Sequence, residues 1–232
     1  LSLRRICEAG RRLSQVDSFM AGRSVASRAC YHLGHAIVAF VTWVLCRPTI
    51  TGRENVPAEG AFVLAPVHRS YIDTPLASLV TRRRLRFMGK DSMWKNRFFG
   101  WVLSALGAFP VTRGTADREA LKRCVQVLEA GEPLVLFPEG ERKDGPIIEP
   151  LFDGAAFVAV KAGVPIVPVG IGGSDRAWAR GKKMPRFAKC RIVVGQPIPT
   201  VAPEGSRVSR TGVREVTAQL HDELQRLYDA VK

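Results

Sequence analysis

Short apolar runs, each bounded by Gly, Pro or charged residues, alternate with helix-like stretches along most of this chain. The runs with strand character are AFVLA from Ala61, LRFMG from Leu85, AFPV from Ala108, PLVLF from Pro133, PIVPVGI from Pro165 and RIVVG from Arg191. Helical periodicity is seen over residues 74–82, 97–106, 116–130, 155–162 and 207–231. This alternation predicts an α/β fold, with a mixed, largely parallel sheet covered by helices.

The first 47 residues differ from the rest of the chain. Pro and Gly residues follow Arg47 closely, which predicts a boundary between a segment 1–47 and an α/β domain 48–232. Within the segment, a basic amphipathic stretch leads to the apolar run Ala36–Cys46, which is shorter than the roughly 18 to 20 residues of a spanning helix. Such a pair is typical of helices that lie in a membrane interface. A core helix packed on the main domain is the other interpretation.

The chain is strongly basic, with 35 Lys and Arg against 21 Asp and Glu and a formal net charge of +14. Such a charge attracts nucleic acid, anionic lipid or phosphorylated substrates. Two basic clusters, TRRRLRF (81–87) and DRAWARGKKMPRFAKCR (175–191), mix cations with apolar side chains. This mixture favours a surface that rests on anionic phospholipid, with a solvated face as the alternative. No motif that reads nucleic acid is present, so a nucleic-acid partner is not expected.

The five cysteines are scattered and include no Cys-x-x-Cys pair, which argues against a disulfide framework and a zinc site. They indicate a reducing, cytosol-facing location. His32, His35 and His221 are not grouped with further histidines or cysteines beyond one another and Cys30, so no metal is expected.

His68 and Asp73 stand five residues apart where the run AFVLAPV gives way to SYIDTPLASLV. The change of pattern places His68 in the turn after a strand, the edge at which open α/β sheets bind ligands. Ser70 and Asp73 also match the Ser-x-x-Asp pattern of a helix capping box. A carboxylate folded back in this way can orient the imidazole as a general base. Taken alone, the pattern favours an ordinary cap over a catalytic pair.

Three further stretches follow HRSYID in order: GAFPVTRG (107–114), LFPEGERKDG (136–145) and GVPIVPVGI (163–171). The four stretches together resemble the sequence blocks of the glycerolipid acyltransferases, the glycerol-3-phosphate and 1-acylglycerol-3-phosphate (lysophosphatidate) acyltransferase family. The resemblance spans about residues 52–198. Two positions depart from the family pattern: Val67 stands where an Asn usually precedes the histidine, and Glu141 where a Thr or Ser commonly follows Pro-Glu-Gly.

The resemblance implies a role for residues in each block. His68 would be the general base and Asp73 its partner. The acceptor's phosphate and glycerol end would be held by residues of the second and third blocks, and the acyl donor by the fourth; the implied binding residues are Arg113, Glu139, Gly140, Arg142 and Pro165, with Lys90 ahead of the second block. Glu139 has a second interpretation, in which it pairs with one of those arginines to hold the loop.

The resemblance also implies the reaction. The expected activity is O-acyl transfer from acyl-CoA or acyl-carrier protein, as co-substrate and with no cofactor, to a hydroxyl of a glycerol phosphate, most simply lysophosphatidate to give phosphatidate. The expected location is the cytoplasmic face of the cell membrane. Two alternatives stay open at this point. One is the same chemistry on glycerol-3-phosphate, another lysophospholipid or a lipid-linked sugar, and the other is a non-catalytic, basic membrane-binding protein.

Overall fold

The computed structural model describes residues 25–111, 118–179, 181–203 and 207–232. The strands are β1 (Thr49–Thr51), β2 (Val63–Pro66), β3 (Arg86–Lys90), β4 (Ala108–Val111), β5 (Leu134–Val135), β6 (Ile166–Gly172) and β7 (Arg191–Val194). The helices are α1 (Val25–Cys46), α2 (Asp73–Ser78), α3 (Arg97–Ala105), α4 (Arg118–Glu129), α5 (Gly154–Ala162), α6 (Ser174–Trp178) and α7 (Arg210–Asp229). Short 3₁₀ turns at Arg53–Asn55 and Asp91–Trp94 complete the ordered elements.

Backbone contacts divide the chain into two compact units. Of the described residues, those up to Ile37 and those between Arg86 and Ala120 form the smaller unit, and those in Val38–Leu85 and Leu121–Lys232 form the larger one. In the smaller unit β3 and β4 pair in parallel, with Phe87 opposite Ala108. In the larger unit the strand order is β1-β7-β6-β2-β5. Only the pairing of β6 with β7 is antiparallel there, so the sheet is mixed and largely parallel, as the sequence predicts.

The two central strands of the larger unit explain the apolar runs that dominate the sequence. Every residue of β2 and of β6 is buried. A strand covered on both faces shows a continuous apolar run, whereas a half-exposed strand alternates between apolar and polar residues. One cover is α7, whose backbone approaches the strand so closely that a Cβ built on Gly170 would lie 2.7 Å from the carbonyl oxygen of Leu227. Because the glycines of PIVPVGIGG have no side chains, the C-terminal helix can pack directly against the backbone of β6.

Two elements were not predicted from the sequence, β1 and α6. Strand β1 has three residues between Pro48 and Gly52, too few to show any alternation, and it forms by pairing with β7 at Thr49 and Arg191. Helix α6 has five residues. Conversely, α2 ends at Ser78, four residues before the predicted end.

Helix α1 lies in the predicted N-terminal segment, whose residues 1–24 are outside the described part of the chain. Of the helices that the structure describes, none combines the length and apolar character needed to cross a membrane.

Candidate active site

His68 lies in the turn between β2, which ends at Pro66, and α2, which begins at Asp73. Strand β2 runs parallel to both of its neighbours, β5 and β6, so the carboxyl ends of three strands meet at one edge of the sheet. This edge is where ligands bind in open α/β folds. The sequence-predicted position of His68 therefore matches the observed one.

The Asp73 carboxylate both caps the turn and contacts the histidine. Its Oδ2 accepts hydrogen bonds from the backbone N–H groups of Arg69 and Ser70, both at 2.6 Å, and lies 3.1 Å from Nδ1 of His68. The residue is completely buried. The predicted capping box is half present, because the Ser70 hydroxyl accepts from the N–H of Ile72 at 3.2 Å rather than from that of Asp73.

The geometry fixes the orientation and tautomer of the His68 ring. An ionised carboxylate can only accept, so Nδ1 carries the proton and Nε2 presents a lone pair. Within the described part of the chain, Nε2 has no hydrogen-bond partner. The ring also stacks on Phe137, with centroids 4.0 Å apart and planes inclined by 26°. Its side chain is 12% exposed, so the free nitrogen is held in a largely enclosed site.

A buried ion pair between Arg69 and Glu139 also holds the turn that carries His68. Arg69 Nη1 lies 2.5 Å from Glu139 Oε1, and both side chains are almost completely buried. The second carboxylate oxygen, Oε2, accepts the backbone N–H of His68 at 2.7 Å. Glu139 therefore neutralises one neighbour of His68 and fixes the backbone of His68 itself. Of the two interpretations of Glu139, loop holding has a partner in the described structure, and that partner is Arg69, a residue that the sequence analysis does not single out.

Arg69 also holds the loop that follows Glu139. Its guanidinium donates to the carbonyl oxygens of Gly145 and Ile147, at 3.3 and 3.2 Å, and to that of His68. The Lys143 N–H donates to the His68 carbonyl from the same loop. Arg69 is the functional residue that sequence reasoning missed. Its position inside HRSYID was the available signal, but a buried arginine cannot be told from a surface one by sequence in so basic a chain.

The third sequence block forms a tight turn at Gly140. Its φ of 72° lies in the left-handed region, and a Cβ there would lie 2.7 Å from the Phe152 ring, so only glycine fits without a shift. The Gly140 N–H donates to the Phe137 carbonyl and is thus engaged within the protein. The amides of Ser70 and Ile72 are engaged as well. These three groups are therefore not free donors for a developing oxyanion.

Arg142 follows this turn, and its side chain contacts Tyr71, which belongs to the same turn as His68. Its guanidinium carbon is 4.0 Å from the centroid of the Tyr71 ring, a cation–π contact that fixes the planar fork. The side chain is partly exposed. An oriented and accessible guanidinium is suited to bind a phosphate with two parallel hydrogen bonds.

The other predicted site residues are not brought to His68 by the described structure. Arg113 lies outside the described residues, and Lys90 closes β3 with a side chain that is likewise outside them. Pro165 precedes β6, and its carbonyl accepts the N–H of Val63 at the start of β2. His68 follows the other end of β2, so at about 3.3 Å per residue the two are separated by roughly 20 Å along the strand. The register thus separates Pro165 from His68, and its role on the acyl-donor side stays a prediction.

Cysteine and metal-ligand patterns add little to this site. Cys46, Cys124 and Cys190 are buried thiols that form no disulfide in the described part of the chain. Across the described ranges, no three His, Cys, Asp or Glu side chains come together as a metal-binding group.

Comparison with known proteins decides the family. The sequence model of the family described as Acyltransferase matches residues 47–172, more than half of the chain and all of the site described above. This chain belongs to the acyltransferase family. The glycerolipid resemblance is thereby confirmed at the level of the family.

Similar proteins within this acyltransferase family carry more specific names. A 1-acyl-sn-glycerol-3-phosphate acyltransferase from Bacillus subtilis is 28% identical over 150 residues, which are 64% of this chain and 72% of the relative. A chloroplastic enzyme of the same name from Brassica napus is 28% identical over 153 residues, 44% of its own length. The crystal structure of the 1-acyl-sn-glycerophosphate acyltransferase PlsC from Thermotoga maritima superposes with a TM-score of 0.69 at 20% identity, covering 95% of this chain and 97% of that one. At that identity the structural likeness supports the fold.

Proposed function

We propose that this acyltransferase moves a fatty acyl group from a thioester, acyl-CoA or acyl-carrier protein, to a free hydroxyl of lysophosphatidate, giving phosphatidate. The observation that carries the proposal is the oriented His68 ring, with Nδ1 on the Asp73 carboxylate at 3.1 Å and Nε2 free. The names of similar proteins, 1-acyl-sn-glycerol-3-phosphate acyltransferases, support the choice of acceptor.

The reaction follows from this arrangement. Nε2 of His68 takes the proton of the acceptor hydroxyl as its oxygen attacks the thioester carbonyl carbon, because a free alkoxide is scarcely populated near pH 7. The tetrahedral intermediate then collapses, the carbon–sulfur bond breaks, and the protonated imidazole returns its proton to the leaving thiolate. Asp73 holds the ring and stabilises the imidazolium formed between these two steps, as a carboxylate does in hydrolytic triads.

We propose that Arg142 binds the acceptor phosphate and that Glu139 and Gly140 act by shaping the loop; the phosphate-binding roles of Arg113 and Lys90 stay as the resemblance implies them. Glu139 is 1% exposed and already bonded to Arg69 and to the His68 backbone, so a direct contact with glycerol hydroxyls is not part of this proposal.

The acceptor assignment is tested with a phosphorylated and a dephosphorylated acceptor. Arg142→Gln is expected to raise the KM for lysophosphatidate about tenfold or more, since one charge-assisted contact contributes about 1.5 to 3 kcal/mol. The KM for monoacylglycerol should hardly change. Release of free thiol from acyl-CoA measures both reactions. Equal effects on the two acceptors would remove Arg142 from phosphate binding, and transfer to neither acceptor by the unaltered protein would overturn the proposed function.

We further propose that the enzyme works at an anionic membrane surface on its cytoplasmic face. Helix α1 supports this because large apolar side chains at helical spacing are exposed along it: Leu33, Ile37, Phe40, Val41, Trp43 and Val44. An exposed apolar stripe of this kind is typical of helices in a lipid interface. The free cysteines are consistent with a reducing compartment.

Removing two aromatic rings from this stripe tests the membrane proposal. Phe40→Gln with Trp43→Gln is expected to weaken sedimentation with phosphatidylglycerol vesicles by about tenfold or more, since each buried aromatic ring contributes about 1.5 to 3 kcal/mol. Val201→Gln is the control, because Val201 is 82% exposed but lies outside α1. Unchanged sedimentation of the double variant would contradict a role of α1 in membrane binding.

A further inference from the structure

The second basic cluster, residues 175–191, is not used by the proposed reaction, yet its two ends line a common cavity. Arg176 of α6 forms one wall, and Lys189 and Arg191 at the start of β7 form another. The cavity has a volume of about 600 Å³. This size lies within the usual range of small-molecule sites.

Two other parts of the chain complete the cavity. Arg47 and Thr49 belong to the connection between α1 and β1, which is hydrogen-bonded on both sides of Cys190: the Cys190 N–H donates to the Cys46 carbonyl, and the Thr49 N–H donates to the Cys190 carbonyl. The C-terminal end of α7 contributes Tyr228 and Lys232. Backbone hydrogen bonds and helix packing fix these segments, so the backbone that carries the cations is held in place.

Arg47 has an unusual backbone conformation for its residue type. Its φ is 38°, and it is the one non-glycine residue with positive φ in the described part of the chain. Glycine is the residue most favoured after the last turn of a helix in this conformation, because it has no Cβ. An arginine at this position is less stable than a glycine would be, but it adds a cation to the lining of the cavity.

The cations of the cavity are largely uncompensated. In the described ranges, no carboxylate forms an ion pair with Arg47, Arg176, Lys189 or Arg191. Lys232 does pair with Asp229, at 2.6 Å, and Asp175 is the carboxylate that lines the cavity. Five cations and one carboxylate around a concave surface concentrate a positive potential there.

The cavity lies at the same edge of the sheet as His68. Strand β6 is parallel to β2 and leads directly into Gly173, which lines the cavity, just as β2 leads into His68. Contacts link the two places: the Arg69 guanidinium carbon lies 5.0 Å from the centroid of Tyr228, and the Ser70 hydroxyl donates to the carbonyl of Trp178 in α6. Tyr228 is buried at the cavity wall, and Arg69 is the residue next to His68.

We propose that this cavity is a second binding site of the protein and that it takes phosphate groups. Resting on the proposed function, the ligand it fits is the acyl donor in its coenzyme A form, whose pyrophosphate and additional phosphate monoester present several anionic oxygens to several arginines. Planar guanidinium groups bind such oxygens in pairs. A phosphate in an anionic lipid headgroup offers the same chemistry from a second source, and the experiment distinguishes the two.

The test compares two charge-matched double variants. Arg176→Gln with Arg191→Gln removes two cations from the cavity, whereas Lys122→Gln with Arg214→Gln removes two exposed cations elsewhere. Binding of coenzyme A is measured by titration calorimetry, without acceptor, and binding of vesicles containing phosphatidylglycerol by sedimentation. The cavity variant is expected to bind coenzyme A about tenfold or more weakly, and the control variant within about twofold of the unaltered protein. Inorganic pyrophosphate should compete with coenzyme A in the unaltered protein.

Each outcome bears on the inference. Loss of coenzyme A binding confined to the cavity variant supports the site with the donor as ligand, and loss of vesicle binding confined to that variant supports the site with the lipid as ligand. Equal effects of the two variants, or none, would overturn it. These measurements need no turnover, so they are independent of the proposed function. If the unaltered protein binds coenzyme A in the cavity but does not acylate lysophosphatidate, only the proposed function is contradicted. If it acylates lysophosphatidate and the cavity variant binds coenzyme A as tightly as the unaltered protein, only the cavity inference is contradicted.

Discussion

Replacement of His68 by alanine is expected to lower the rate of acyl transfer by about 100- to 10,000-fold, the usual contribution of a general base. The reason is that the acceptor hydroxyl, whose pKa is far above neutral, then lacks the oriented imidazole that takes its proton. Asp73 cannot replace it, because its Oδ2 already accepts two backbone hydrogen bonds at 2.6 Å and the side chain is buried. Thiol release from acyl-CoA in the presence of lysophosphatidate measures the loss.

Two further variants separate base chemistry from structure. His68→Asn retains a donor that can reach Asp73 but supplies no basic nitrogen, so it should be as inactive as the alanine variant and as stable as the unaltered protein. His221→Ala is the matched histidine control, since His221 lies on α7 and its Nε2 contacts the carbonyl of Ile148. An asparagine variant with near-normal turnover would show that His68 is not the base.

Replacement of Glu139 by glutamine is expected to lower the free energy of unfolding by about 3 to 5 kcal/mol, because it leaves the buried Arg69 guanidinium without a counter-charge. This is a large part of the 5 to 15 kcal/mol that is typical of a folded domain. Glutamine also has one acceptor oxygen where the carboxylate uses two, so either Arg69 or the His68 N–H loses its partner. Urea unfolding measures the change.

A double variant and a surface pair test the cause of this loss. Arg69→Met combined with Glu139→Gln removes the unpaired charge and should recover part of the stability, although the bonds from Arg69 to Gly145 and Ile147 are lost. Glu223→Gln breaks the ion pair with Arg226, whose side chain is 66% exposed. Because the pair is on the surface, its loss should lower the free energy of unfolding by less than about 1 kcal/mol. If Glu139→Gln were no more destabilising than Glu223→Gln, the buried pair would not support the site.

The candidate site was predictable where its residues are close together in the chain. His68 and Asp73 meet because five residues form one turn between a strand and a helix, and hydrogen bonds within that turn set their geometry. The partner of Glu139 was not predictable. It lies 70 residues away in the chain, and with 35 lysines and arginines the sequence offers no way to choose among them.

The place of Pro165 in the sheet depends on distant contacts in the same way. The resemblance assigns the fourth block to the acyl donor, which stays a prediction, but gives it no position. The parallel register of β2 and β6 sets Pro165 beside the start of β2, whereas His68 follows the end of that strand. Order along the chain does not show which edge of a sheet a residue reaches.

The sequence by itself predicted the α/β class, six of the seven strands that the structure describes, and the turn that carries His68. These features depend on periodicity and on contacts within a few residues, so the chain encodes them locally. Only the tertiary structure decided that Arg69 pairs with Glu139 beneath the histidine and that cations from three parts of the chain surround one cavity. Those contacts depend on strand order and register, which are settled when distant segments pack together.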